Sequence, residues 1–182
     1  MWRTTLCPTF TFKSFTFVNV LLQVILFFVA LIISATEKSG LSDKVFLGLD
    51  GHNLTDFGMR MPAKIVNEVA LWRCLSSLYL PHALLPLVLN SLAQCILGFA
   101  LEQVLGPLRM AILYFFTGVS ANLFAVACSE LNATGPAPAI FGVLGGIIGI
   151  YVYYWPFIFL PLWRKAAGCL ILVFLAVLGL LF

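Results

Sequence analysis

Charge is what this chain has least of. Its 182 residues include ten Lys and Arg against seven Asp and Glu, so charged residues make up only 9% of it. A soluble domain of this size needs a far more polar surface. Histidine is almost as scarce: His52 and His82 are the only two, both in the first half. The five cysteines (Cys7, Cys74, Cys95, Cys128 and Cys169) are scattered without metal-ligand spacing. They read as small apolar residues, and a disulfide between Cys74 and Cys128 is not expected. No metal and no cofactor are implied. No basic patch is interleaved with aromatics, so nucleic-acid binding has no support.

What is present is apolar sequence, 62% of the chain. Five runs reach or approach the roughly 20 residues that cross a bilayer. They lie at about residues 17–35, 75–100, 110–128, 138–155 and 166–182. The expected architecture is all-α: a multi-pass transmembrane helix bundle, a single domain over 15–182 after a tail at 1–14. Residues 36–71 form the only long polar stretch. They hold Glu37, Asp43, Asp50, Asp56 and Glu68, and are dense in the breakers Gly40, Gly48, Gly51, Gly58 and Pro62. This reads as a surface loop on the membrane with short helical pieces. It contains the glycosylation sequon Asn53-Leu54-Thr55, and a second sequon, Asn132-Ala133-Thr134, follows the third span.

Charge placement orients the bundle. With the N-terminus on the cytosolic side, Arg3, Lys13, Arg109, Arg164 and Lys165 share that side with Glu102. Nearly all the acidic residues, and both sequons, then lie opposite. Asn19 and Gln23 are four apart and share a helix face; they either meet another helix or are tolerated near the span's end. Thr117, Ala121 and Ala125, with Gly118 and Asn122 beside them, make a packing face. No Asp, Glu, Lys or Arg lies near the middle of a span, which argues against a channel or transporter. Trp72-Arg73 reads as an interfacial anchor before the second span.

The most informative stretch is Gly135-Pro136-Ala137-Pro138-Ala139-Ile140-Phe141-Gly142-Val143-Leu144-Gly145-Gly146. Pro138 suits a first helical turn, where its missing N–H is not needed. Gly142 and Gly146, and Gly145 and Gly149, are spaced by four, which lets another helix approach closely in a bilayer. This stretch resembles the active-site segment of the rhomboid intramembrane proteases, in which Gly-x-Ser-x precedes an Ala-Ile-Phe-Gly-Leu-Leu-Gly helix. Ala137 stands in the place of the family's nucleophilic serine.

The resemblance extends upstream. Leu47-Gly48, Pro62, Ile65 and Trp72-Arg73 follow the order of a pattern in eukaryotic rhomboids. The family's next helix reads roughly Phe-x-His-Ala-Gly-x-x-His-x-x-x-Asn. Here Asn90 matches the asparagine that helps hold the oxyanion in active members. The second histidine falls on Pro86, and the first is represented only by His82, one place off. Pro86 offers no donor and is expected to kink the helix. Read from the residues alone, Asn90 makes an interhelical hydrogen bond and His82 is structural. Glu102-x-x-x-Gly106 resembles the family's loop before the third span. Active members carry their catalytic histidine in a sixth span. This sequence offers five spans, no sixth helix and no histidine after His82.

The resemblance and the substitutions imply a catalytically inactive rhomboid-like protein, a pseudoprotease. Such a protein is expected to bind transmembrane helices of other membrane proteins within the lipid bilayer, as an accessory subunit of a hetero-oligomeric complex. Gly142, Gly145, Gly146 and Gly149 are its expected partner face. The alternative is a rhomboid serine protease inactivated by an engineered Ser-to-Ala change and truncation. A self-contained bundle without a partner also remains open. The sequons favour the endomembrane system, and the acid-free start keeps the mitochondrial inner membrane as second choice.

Overall fold

The computed structural model describes residues 14–36, 41–42 and 47–154. In chain order they form α1 (Phe15–Thr36) and an antiparallel pair of two-residue strands, β1 (Leu41–Ser42) and β2 (Gly48–Leu49). Short helices α2 (Gly51–Asp56), α3 (Pro62–Asn67) and α4 (Arg73–Ser76) follow, then a 3-10 turn at Ser77–Tyr79. Long helices α5 (Leu84–Leu105), α6 (Pro107–Cys128) and α7 (Ala137–Tyr153) are the last elements among the described residues. Helices α1, α5 and α6 are long and apolar enough to cross a membrane, and α7 is a shorter apolar helix. The tail at 1–13 and the fifth expected span, 166–182, lie outside the described residues.

Helix α1 is inverted relative to a helix of a soluble bundle. On α1 the buried positions are Thr16, Asn19, Gln23, Phe27, Ala30 and Ser34, in steps of three and four that keep one face inward. Most of that inner face is polar. The exposed face carries Val18, Leu21, Leu22, Ile25, Phe28, Val29 and Ile32, as a lipid-facing surface should. Asn19 and Gln23 therefore do meet other helices. Gln23 Nε2 donates to Gln94 Oε1 on α5 (3.2 Å) and to the Tyr114 hydroxyl on α6 (2.9 Å). Asn19 Oδ1 accepts from the Tyr79 hydroxyl (2.8 Å).

One end of the bundle is fastened by Glu102. Its carboxylate accepts from Ser14 Oγ (2.7 Å) and from the backbone N–H groups of Phe15 (2.7 Å) and Thr16 (2.9 Å). A helix start leaves its first N–H groups unpaired and partially positive. A carboxylate from α5 thus caps α1. Gly98 lets the two helices close up here, since a Cβ on it would lie 2.7 Å from Thr16 Cγ2. At the other end the 47–72 segment folds over the helices. Leu49, Leu54 and Met59 pack with Phe27 and Ala30 of α1 and with Leu87 of α5.

The second span begins later than expected. Residues 75–83 are apolar enough to extend it, but they form the end of α4, the 3-10 turn and a break at Leu80–Ala83 before Leu84. Pro81 precludes a continuous helix there. Pro86 is then the third residue of α5, where no N–H is needed, so the expected kink does not arise. The third span starts at Pro107 rather than 110, because Gly106 takes φ +82° and Pro107 opens the helix. The fourth runs Ala137–Tyr153, within two residues of the expected 138–155.

Candidate functional site

Helix α7 starts where Gly135 turns with φ +107° and donates its N–H to the Ser77 carbonyl (2.8 Å). Pro136 is the N-cap, Ala137 the first helical residue and Pro138 the second. This places Ala137 against α5. Asn90, Ala93, Ile96 and Leu97 of α5 and Ala137, Ile140, Phe141 and Leu144 of α7 line a mainly apolar groove of about 330 Å³. The structure thus brings Ala137 and Asn90 together, as the sequence pattern implies. The expected interhelical hydrogen bond of Asn90 does not form: its amide has no partner among the described residues and is left facing the groove. Pro86, one turn before Asn90 on α5, is not part of the groove lining.

The two histidines are elsewhere. His82 is exposed, its backbone carbonyl accepts from Leu49 N (2.9 Å), and the residue lines a separate cavity of about 400 Å³ with Leu54, Met59, Asn132 and Thr134. His52 is exposed on α2, 3.3 Å from Asp56. Neither lines the groove that contains Ala137. No group of three or more metal-ligating side chains occurs among the described residues.

The glycine face divides in two. A Cβ on Gly142 would overlap the Thr117 side chain of α6, and one on Gly146 would lie 2.9 Å from Leu113 Cδ2. These two glycines are used inside the bundle, for the α6–α7 contact, and are not open to a partner. Gly145 and Gly149 are exposed, and a Cβ on either would meet nothing among the described residues. The division follows from helix geometry: Gly145 is three residues from Gly142, so the pairs lie on adjacent but different stripes of α7.

Trp72 and Arg73 also part company. Trp72 is half exposed, as a boundary residue should be. Arg73 is buried and its guanidinium donates to the backbone carbonyls of Thr55 (2.7 Å) and Met59 (3.3 Å). It staples the loop rather than anchoring to the interface. Arg60, which belongs to no motif in the sequence, does similar work. Its backbone pairs with Ala133 (3.1 and 3.2 Å), and its side chain donates to Asn122 Oδ1 (2.9 Å). Asn122 Nδ2 in turn donates to the Cys74 carbonyl (2.8 Å) and Ser77 Oγ (3.1 Å). Burial lowers the pKa of Arg60 and raises that of the Cys74 thiol, each opposed by the charge of the other. Cys74 is buried, Cys128 is exposed, and both are free thiols. Only its charge and its place in a loop distinguish Arg60 in the sequence, which is too little to reveal this joint.

The helical membrane bundle, the loop laid over one end and the Ala137–Asn90 juxtaposition define a rhomboid-like protein. The chain belongs to the Rhomboid domain family, whose model matches residues 68–182. Among its relatives is the Inactive RHOMBOID-like protein 8 of Arabidopsis thaliana, 29% identical over 63% of this chain and 33% of that protein. The Rhomboid-like protease 2 of Toxoplasma gondii is 26% identical over 79% of this chain and 49% of its own length. The mitochondrial RHOMBOID-like protein 6 of Arabidopsis thaliana is 24% identical over 77% and 44%. The chain thus spans between a third and a half of these relatives. No solved structure matches it.

Proposed function

We propose that this protein is a non-catalytic rhomboid-like membrane protein that holds transmembrane segments of other proteins, as an accessory subunit of a larger membrane complex. The observation that carries this reading is a methyl group, Ala137, at the nucleophile position, in the lining of a mainly apolar groove. Nucleophilic catalysis needs an activated oxygen or sulfur with a base in hydrogen-bond reach. A methyl cannot supply the first, and neither histidine lies in the groove to supply the second. What remains is shape: apolar walls from Ile96, Leu97, Ile140 and Leu144, with the free Asn90 amide as a polar contact. In hydrocarbon, packing of small and apolar surfaces with an occasional amide hydrogen bond is what associates helices. That a relative bears the name Inactive RHOMBOID-like supports a family role without cleavage.

The groove, with Gly145 and Gly149 as an adjoining stripe, replaces the four-glycine face as the proposed contact. Photo-crosslinking residues at Ala93 and at Leu113 test it in protein purified from native membranes in gentle detergent. Crosslinks to a stoichiometric partner are expected from Ala93, in the groove, and not from Leu113, which packs under Gly146. A protein that elutes alone, with no crosslink from Ala93, would refute the reading.

A further inference from the structure

The two sequons are treated oppositely by the fold. Asn53 is 1% exposed. Its Nδ2, the atom that carries the sugar in an N-glycoprotein, donates to Ser34 Oγ near the end of α1. Its neighbour Leu54 packs into the cluster of Phe27, Ala30 and Met59. A glycan is bulky and must sit at a surface; attached here it would displace the loop from the helices. Asn132 is exposed, but it lies in the eight residues between Cys128 and Ala137, and Ala133 beside it is paired with Arg60. An acceptor must be drawn as extended chain into a transferase away from the bilayer, and a link this short between two helix ends has no slack. Asn53 does have slack during synthesis. It lies 17 residues beyond Thr36 and 31 before Leu84.

We propose that Asn53 is a docking residue whose glycosylation and native fold exclude each other. The protein therefore matures in a membrane where the loop side meets no Asn-glycosylating machinery. This reverses the weight that the sequons lend to the endomembrane system, and it stands independently of the proposed partner role. An unmodified Asn53 amide closes the loop on α1; a modified one keeps the loop open and within reach of proteases.

Two measurements on the full chain test this. The first is the intact mass of protein from its native membranes, before and after N-glycosidase. No change is expected. A loss of mass assigned to either sequon overturns the proposal. The second is translation in the presence of endoplasmic reticulum microsomes, which forces the loop into a glycosylating lumen. One glycan is expected, lost in Thr55→Ala, which keeps the Asn53 amide, and retained in Asn132→Gln. Trypsin should cut the glycosylated loop at Arg60 or Lys64 about tenfold faster than the unmodified loop of Thr55→Ala, because an undocked segment has lost its local protection. Equal resistance of the two forms overturns the mutual exclusion.

Discussion

A missing Cβ decides how closely α7 approaches α6. At Gly142 a side chain would overlap Thr117, whose hydroxyl is already committed to the Leu113 carbonyl (2.7 Å) and so cannot swing freely. Gly142→Val should destabilise the bundle by about 1–3 kcal/mol, the usual cost of overpacking. Gly145→Val, facing open space among the described residues, should leave the melting temperature in detergent nearly unchanged. Equal effects of the two changes would refute the assignment of the faces. Four glycines at spacings of four were visible in the sequence, but not which pair turns inward, because both pairs satisfy the same spacing rule and only tertiary packing separates them. The cysteines allow a second test at this scale. Cys74 is buried with its thiol pKa pushed up, whereas Cys128 is exposed. In a chain retaining only these two, a maleimide at pH 7 should modify Cys128 within minutes and Cys74 only on denaturation, as read by mass. Only the thiolate reacts, and Cys74 lacks both thiolate and access.

Helix α1 is held at its two ends by different means. At its start, Glu102 gathers three hydrogen bonds from Ser14, Phe15 and Thr16. A carboxylate at a helix start gains from both the charge-assisted bonds and the positive end of the dipole. Glu102→Gln keeps the size but loses the charge and one acceptor oxygen. It should cost about 1–2 kcal/mol, measured by denaturation in mixed micelles. Glu102→Leu should cost more, since the Phe15 and Thr16 N–H groups would then be left unpaired. A Glu102→Leu protein as stable as the parent would remove the cap from the account. The existence and order of the first four spans were legible, because runs of about 20 apolar residues admit few other solutions. The late start of α5 was not. Residues 75–83 read as continuous span by hydropathy, and it is the local chemistry of Pro81 and the 3-10 turn that diverts them into the outer loop. Nor was the role of Glu102 visible, since its partners are 86 to 88 residues away in sequence.

At the scale of the whole molecule, the site is a meeting of distant segments. Gly135 hangs from Ser77, Ala133 from Arg60, and Asn122 joins the Cys74 carbonyl, Ser77 and Arg60. The outer loop, the C-terminal end of α6 and the N-terminus of α7 are thereby set as one piece over the bundle. This frame brings Ala137 and Asn90 to one groove, with a methyl at the position that the family's serine would take. The frame thus stands with a methyl at that position, and placing a serine there tests whether the groove lacks anything besides a nucleophile. Ala137→Ser would put a hydroxyl into the groove beside Asn90. A serine hydroxyl is a weak nucleophile until a base within about 3 Å takes its proton. The chain's two histidines are His82, lining the cavity under the outer loop, and His52, beside Asp56 on α2, and neither lines the groove. Ala137→Ser should therefore fold like the parent and remain unlabelled by a fluorophosphonate probe, at the background level of the alanine protein. Stoichiometric labelling, abolished by His82→Ala, would mean that the loop can deliver its imidazole to the groove. The protein would then be a protease one atom short of activity rather than a binding subunit.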